Sequence, residues 1–191
     1  MKKRVFIVHR WDGSPESDWY PWFKKELKKN NFEVYVLVMP HSENPIIEDW
    51  ISYLRDSVGK PDQKTYLIGH SLGGQTILRY LEILPSERKI GGVVFVASFF
   101  TLKGLTSEEK KVAKPWLETP IDLARAKQQA NKFVAIFSDN DPYVSLDNQD
   151  DFKNKLGSKI IVEHQKGHFN EAAGITQLPI VLKSLLEIAK T

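Results

Sequence analysis

The 191-residue chain contains no cysteine. That excludes disulfide staples, thiolate nucleophiles and Cys-ligated metal centres, so a nucleophile has to be another residue type. Long apolar runs are also missing, and nothing approaches the eighteen or more consecutive apolar residues of a membrane span. The opening "MKKRVFIVHR" has the basic start of a secretory signal, but its apolar run is only Val5 to Val8 before His9 and Arg10 interrupt it. That is too short for a signal core. A surplus of one charge is lacking too. The 27 Lys and Arg against 24 Asp and Glu leave +3, and the basic residues are scattered, which gives no footprint for nucleic acid. The densest cluster, "KKELKK" at 24–29, is flanked and interrupted by Trp22, Phe23 and Leu27, the pattern of a solvated amphipathic helix. A cytoplasmic protein is expected, with no membrane or nucleic-acid partner and no cofactor or metal.

With 41% hydrophobic residues, the chain can bury one ample core, so residues 1–191 are expected to form a single domain. Six short apolar, β-branched runs recur: "RVFIVH" (4–9), "FEVYVLV" (32–38), "TYLIG" (65–69), "GGVVFVAS" (91–98), "KFVAIFS" (132–138) and "KIIVEH" (159–164). Most are continuously apolar, as strands covered on both faces are. Helical patterns fill 18–30, 46–57, 73–83, 121–130, 145–156 and 175–189. The alternation predicts a six-stranded, mostly parallel sheet in the order 2-1-3-4-5-6 with helices on both faces. Asp18 is placed to cap the first helix, Pro85 and Pro120 punctuate connections, and Gly157 closes the helix before the last strand. The weakly patterned stretch 99–120 falls beyond the strand C-termini, where ligands bind in such sheets. It reads as a short lid or pocket wall, with no large cap domain.

The chemistry centres on "LIGHSLGG" at 67–74. Ser71 follows a buried strand and precedes a helix, the setting of a nucleophile elbow, with small Gly69 and Gly73 permitting the tight turn. The N–H of Leu72 would then point at a developing oxyanion. The alternative is that Ser71 merely caps the helix. A serine nucleophile needs a base, and five histidines are available: His9, His41, His70, His164 and His168. The order Ser, Asp, His with the base after the last strand selects His168 in "KGHF", with His164 as second candidate. An H-x-x-x-H zinc pair from the same two histidines is disfavoured by Gly167 and the predicted strand. The acid should end the fifth strand in "SDNDPYV", where Asp141 before Pro142 is preferred to Asp139. The second oxyanion donor is expected in "VHRWDG", at the N–H of Trp11, with Arg10 the alternative or a contact for a substrate carboxylate. Trp19, Phe99, Phe100 and Trp116 are candidates for an apolar substrate pocket.

With these residues in place the chain resembles the small α/β-hydrolases typified by YdeN-like proteins and retinoblastoma-binding protein nine. The segments that carry the resemblance are "DWYPWFKKEL" (18–27), "VMPHSENPIIEDW" (38–50), "LIGHSLGGQTILRYLE" (67–82), "SDNDPYV" (138–144) and "KGHFNEAAGITQLPIVLKSLL" (166–186). The resemblance implies a cap-free serine hydrolase whose nucleophile, acid and base fall on Ser71, Asp141 and His168. Two departures stand out. His9-Arg10 replaces the His-Gly of many hydrolases, and the lack of cysteine removes any Leu-x-Cys-x-Glu motif for a retinoblastoma-type partner. The expected activity is carboxylesterase-like hydrolysis (EC 3.1.1) of a small ester, thioester or amide through an acyl-enzyme. The alternative is a catalytically silent hydrolase fold that binds another protein.

Overall fold

The computed structural model describes residues 2–190. Six strands form one sheet: β1 (Lys3–Val8), β2 (Phe32–Val36), β3 (Thr65–His70), β4 (Gly92–Val96), β5 (Phe133–Ser138) and β6 (Lys159–Glu163). Their order is β2-β1-β3-β4-β5-β6 and every pairing is parallel. The central strands bury every residue of β3, β4 and β5, which is why they read as unbroken apolar runs.

Side chains alternate between the faces. Val5, Ile7, Ile68 and Val94 pack under α1 (Tyr20–Lys29) and α7 (Pro179–Ile188). Phe6, Val8, Leu67 and Phe95 pack under α2 (Ile47–Val58) and α3 (Leu72–Ile83). That second face also carries α4 (Ser107–Glu118), α5 (Leu123–Gln128) and α6 (Asn148–Asp151), which supply Trp116, Ala126 and, just beyond α6, Phe152. Several local expectations hold, among them Gly157, which ends the helical segment with φ 72° in the left-handed region.

Three differ. Asp18 does not cap α1, which starts at Tyr20 with Trp19 in the cap position and no side-chain cap bond. The helix predicted over 145–156 starts only at Asn148 and widens into a π-helical turn at Phe152–Leu156. The stretch 99–120 contains a full helix, α4, begun by a capping box in which Thr106 and Glu109 exchange hydrogen bonds. No described helix is long and apolar enough to cross a membrane.

Candidate active site

One residue, Ser71, separates β3 from α3, and it takes φ 53° and ψ −116°. Non-glycine residues rarely adopt such a backbone, which costs on the order of 1–3 kcal/mol. Its surroundings hold it there. The Ser71 N–H donates to Val96 O at 2.8 Å, and Gly74 N–H donates to Ser71 O at 3.0 Å. The glycines are needed for close approach, because a Cβ on Gly73 would stand 2.1 Å from Val8 O, and one on Gly69 would stand 2.6 Å from the Gly74 backbone. Ser71 occupies the cap position of α3 but makes no side-chain capping bond. Its side chain opens instead onto a cavity of about 430 Å³.

Two loops beyond β5 and β6 are stitched together residue by residue. Ser138 Oγ accepts from Lys166 N–H, Asn140 Oδ1 accepts from Gly167 N–H, and Asp139 Oδ1 accepts from Gln165 N–H. This register creates two His–Asp pairs. The outer one joins His164 Nδ1 to Asp139 Oδ2, with the His164 side chain 78% exposed. The inner one joins His168 Nδ1 to Asp141 Oδ2 at 2.8 Å, with side chains 8% and 1% exposed. Asp141 is further fixed by N–H donation from Tyr143 and Val144 to Oδ1. Only the inner histidine lines the cavity with Ser71. Among the described residues no hydrogen bond joins Ser71 Oγ to His168. Bonds of this kind commonly tighten only when substrate is bound.

The cavity floor and walls are largely apolar, with Phe99, Leu102, Ala113 and Trp116 among the lining residues. Arg10 and Trp11 also line it. Neither the Leu72 nor the Trp11 N–H has an internal acceptor among the described residues. Arg10, standing where many hydrolases have glycine, does not need a positive φ, because Asp12 provides the left-handed residue at φ 50°. The Arg10 guanidinium is not a free cation. It is held by Asp18 at 2.8 Å and by the carbonyls of Trp11 and Asp12. Two of the expected pocket aromatics lie elsewhere. Trp19 is fully buried in the core under α1 and α7, and Phe100 packs against Phe152 in the other core without reaching the cavity.

Behind Ser71 and His168 lies a buried network that no sequence motif marks. The carbonyl of His168 can only accept, so His70 Nε2–H donates to it at 2.9 Å and His70 Nδ1 is an acceptor for Tyr20 O–H at 2.6 Å. Tyr20 Oη in turn accepts from Arg10 N–H at 3.2 Å. Burial holds the His70 pKa well below the ordinary imidazole value, so the ring is neutral. Burial, reinforced by the Asp18 carboxylate, pushes the Tyr20 hydroxyl well up, so it remains a donor. His9 plays a similar local part, donating from Nδ1 to Arg10 O and accepting Met39 N–H at Nε2. Also unforeseen is Arg79, a buried residue of α3 that donates to the carbonyls of Trp116, Thr119 and Pro120 and so fastens the end of α4 over the cavity.

Residues 5–187 match the family described as Serine hydrolase. The chain is 31% identical over 181 residues to the YdeN protein of Bacillus subtilis, covering 95% of this chain and 93% of that one. Against the serine hydrolase RBBP9 of Rattus norvegicus it is 24% identical over 169 residues, covering 88% and 86%. The crystal structure of the Bacillus subtilis ydeN product superposes with a TM-score of 0.91 at 28% identity, covering 100% of both chains. A carboxylesterase structure from Nitrososphaera gargenis gives 0.72 at 14% identity over 98% and 91% of the chains, which shows the shared fold. The family match over nearly the whole length, joined to the α/β-hydrolase topology described above, establishes that this chain belongs to the serine hydrolase family.

Proposed function

We propose that the protein is a carboxylesterase-like hydrolase that cleaves small ester substrates through an acyl-enzyme on Ser71. The observation that carries this reading is the convergence of the Ser71 turn and the buried Asp141–His168 pair on one apolar cavity. Asp141 keeps the Nδ1 proton of His168 in place, which leaves Nε2 as the acceptor for the Ser71 proton. Ser71 Oγ then attacks the substrate carbonyl, and the oxyanion is received by the N–H groups of Leu72 and Trp11. His168 returns the proton to the leaving alcohol, and water attacks the acyl-serine by the same route in reverse. The apolar walls suit a neutral acyl chain better than a highly polar one.

A fluorophosphonate probe should label the wild type at Ser71 and fail on Ser71→Ala. Turnover across p-nitrophenyl esters of increasing chain length, run beside aminoacyl amides, should reveal ester cleavage with an optimum set by the cavity. A folded protein that takes no label and hydrolyses neither series overturns the reading in favour of a silent, protein-binding hydrolase fold.

A further inference from the structure

Two halves of the reaction centre come from opposite ends of the chain. The N–H of Trp11 sits in the segment between β1 and α1, while His168 follows β6. No direct strand pairing holds the two loops together, since β1 and β6 are separated by three strands. The buried network closes that gap through hydrogen bonds that run Arg10 N–H to Tyr20 Oη, Tyr20 O–H to His70 Nδ1, and His70 Nε2–H to His168 O. Tyr20 and His70 are both fully buried, and the His70 ring lies 5.4 Å from that of His168.

We infer that His70 and Tyr20 are positioning residues that set the oxyanion segment and the catalytic histidine in register with each other; this rests on the Ser71 reading above. His70 belongs to the same elbow as the nucleophile, immediately before Ser71. Its Nε2 reaches the loop beyond β6 directly and its Nδ1 reaches the β1–α1 segment through Tyr20, so one rigid ring references both to the serine. Tyr20 is what makes the arrangement directional. Its hydroxyl donates to Nδ1 and so keeps the proton on Nε2, where the His168 carbonyl needs it. The groups facing His70 are Arg10 and Asp18 from the β1–α1 segment, Tyr20 from α1, Asp141 beyond β5 and His168 beyond β6. A second, outer tie follows the same course. Asp18 binds the Arg10 side chain and exchanges hydrogen bonds with Glu171, its N–H donating to Glu171 Oε1 and its Oδ1 accepting Glu171 N–H. The two ties share Arg10 and run side by side, Asp18 Oδ2 lying 3.9 Å from His70 Nδ1.

The test uses Tyr20→Phe, His70→Leu and His70→Gln beside Ser71→Ala, each checked for folding by thermal unfolding. An oxyanion donor acts only in the transition state, so misplacement lowers kcat and leaves KM nearly unchanged. Tyr20→Phe and His70→Leu should each lose roughly 10–100-fold in kcat, the scale of a sub-ångström to ångström displacement. Their fluorophosphonate labelling rate should fall in parallel. His70→Gln, which keeps a donor and an acceptor on a side chain of similar reach, should recover most of the loss. If His70→Leu does not fold, Tyr20→Phe, which removes a single oxygen, decides the matter. Wild-type kcat in folded Tyr20→Phe overturns the inference, as does equal loss in the Gln and Leu variants. Retained activity in Ser71→Ala would overturn the serine mechanism itself, which separates the two failures.

Discussion

At the residue scale the proposed nucleophile is the most revealing position. Ser71 is held at φ 53° by a turn whose neighbours leave no alternative, so strain and reactivity share one residue. Ser71→Ala is expected to lower kcat by roughly 10⁴-fold or more. Ser71→Gly should be as inactive, yet more stable than the Ala variant by about 1 kcal/mol, because glycine accepts the positive φ. Chemical denaturation of the two variants side by side checks this. For Asp141→Asn, which breaks the tautomer preference of His168, the expected loss is about 10⁴-fold in kcat, whereas Asp139→Asn, at the exposed outer pair, should leave turnover near wild type. The sequence made both aspartates visible, and both histidines. What it could not supply was the register of two loops 25 to 27 residues apart, which pairs Asp139 with His164 and Asp141 with His168.

At the element scale the strands were legible, and 99–120 was legible as a pocket wall but not as a helix. Strands buried on both faces announce themselves as apolar runs. Helix α4 buries only Ala113 and Trp116, is otherwise dominated by charged residues, and carries Pro115 inside it, so neither periodicity nor propensity marks it. It persists because Trp116 reaches Pro45 O and because Arg79, from a helix some forty residues away, binds its last carbonyls. Arg79→Met should therefore cost about 2–4 kcal/mol by stranding buried carbonyls, and raise KM more than it lowers kcat. Urea unfolding and steady-state kinetics would read the two effects. Trp19 lies just ahead of α1, which starts at Tyr20, and its ring packs in the core under α1 and α7 instead of lining the cavity. The rim has a consequence for selectivity. Asp12, Glu43 and Glu109 line the cavity, and Arg10, which also lines it, is already paired with Asp18. A p-nitrophenyl succinate half-ester should show a kcat/KM about tenfold below that of the butyrate ester, with the gap narrowing as salt is added.

At the scale of the whole molecule, the two buried neutral histidines make stability depend on pH. Burial lowers the pKa of both His9 and His70 in the folded state. Below the ordinary imidazole value of about 6.5 the unfolded chain takes up protons that the folded chain refuses. Stability is therefore complete above that value and declines as pH falls, by up to about 1.4 kcal/mol per pH unit for each histidine. Calorimetry should show the melting temperature steady above about pH 6.5 and falling from there to pH 5, with a shallower slope in His70→Gln. A steeper slope in that variant would contradict the assignment. The two parallel His–Asp pairs also carry a warning for anyone who maps this enzyme with reagents. His164 presents 78% of its side chain to solvent and His168 presents 8%, so an acylating agent such as diethyl pyrocarbonate meets the outer ring, away from the proposed site, first. Early modification should proceed with no loss of turnover, and inactivation should follow a slower class of reaction that a bound competitive inhibitor suppresses. A titration counted only as histidines lost would credit the wrong ring.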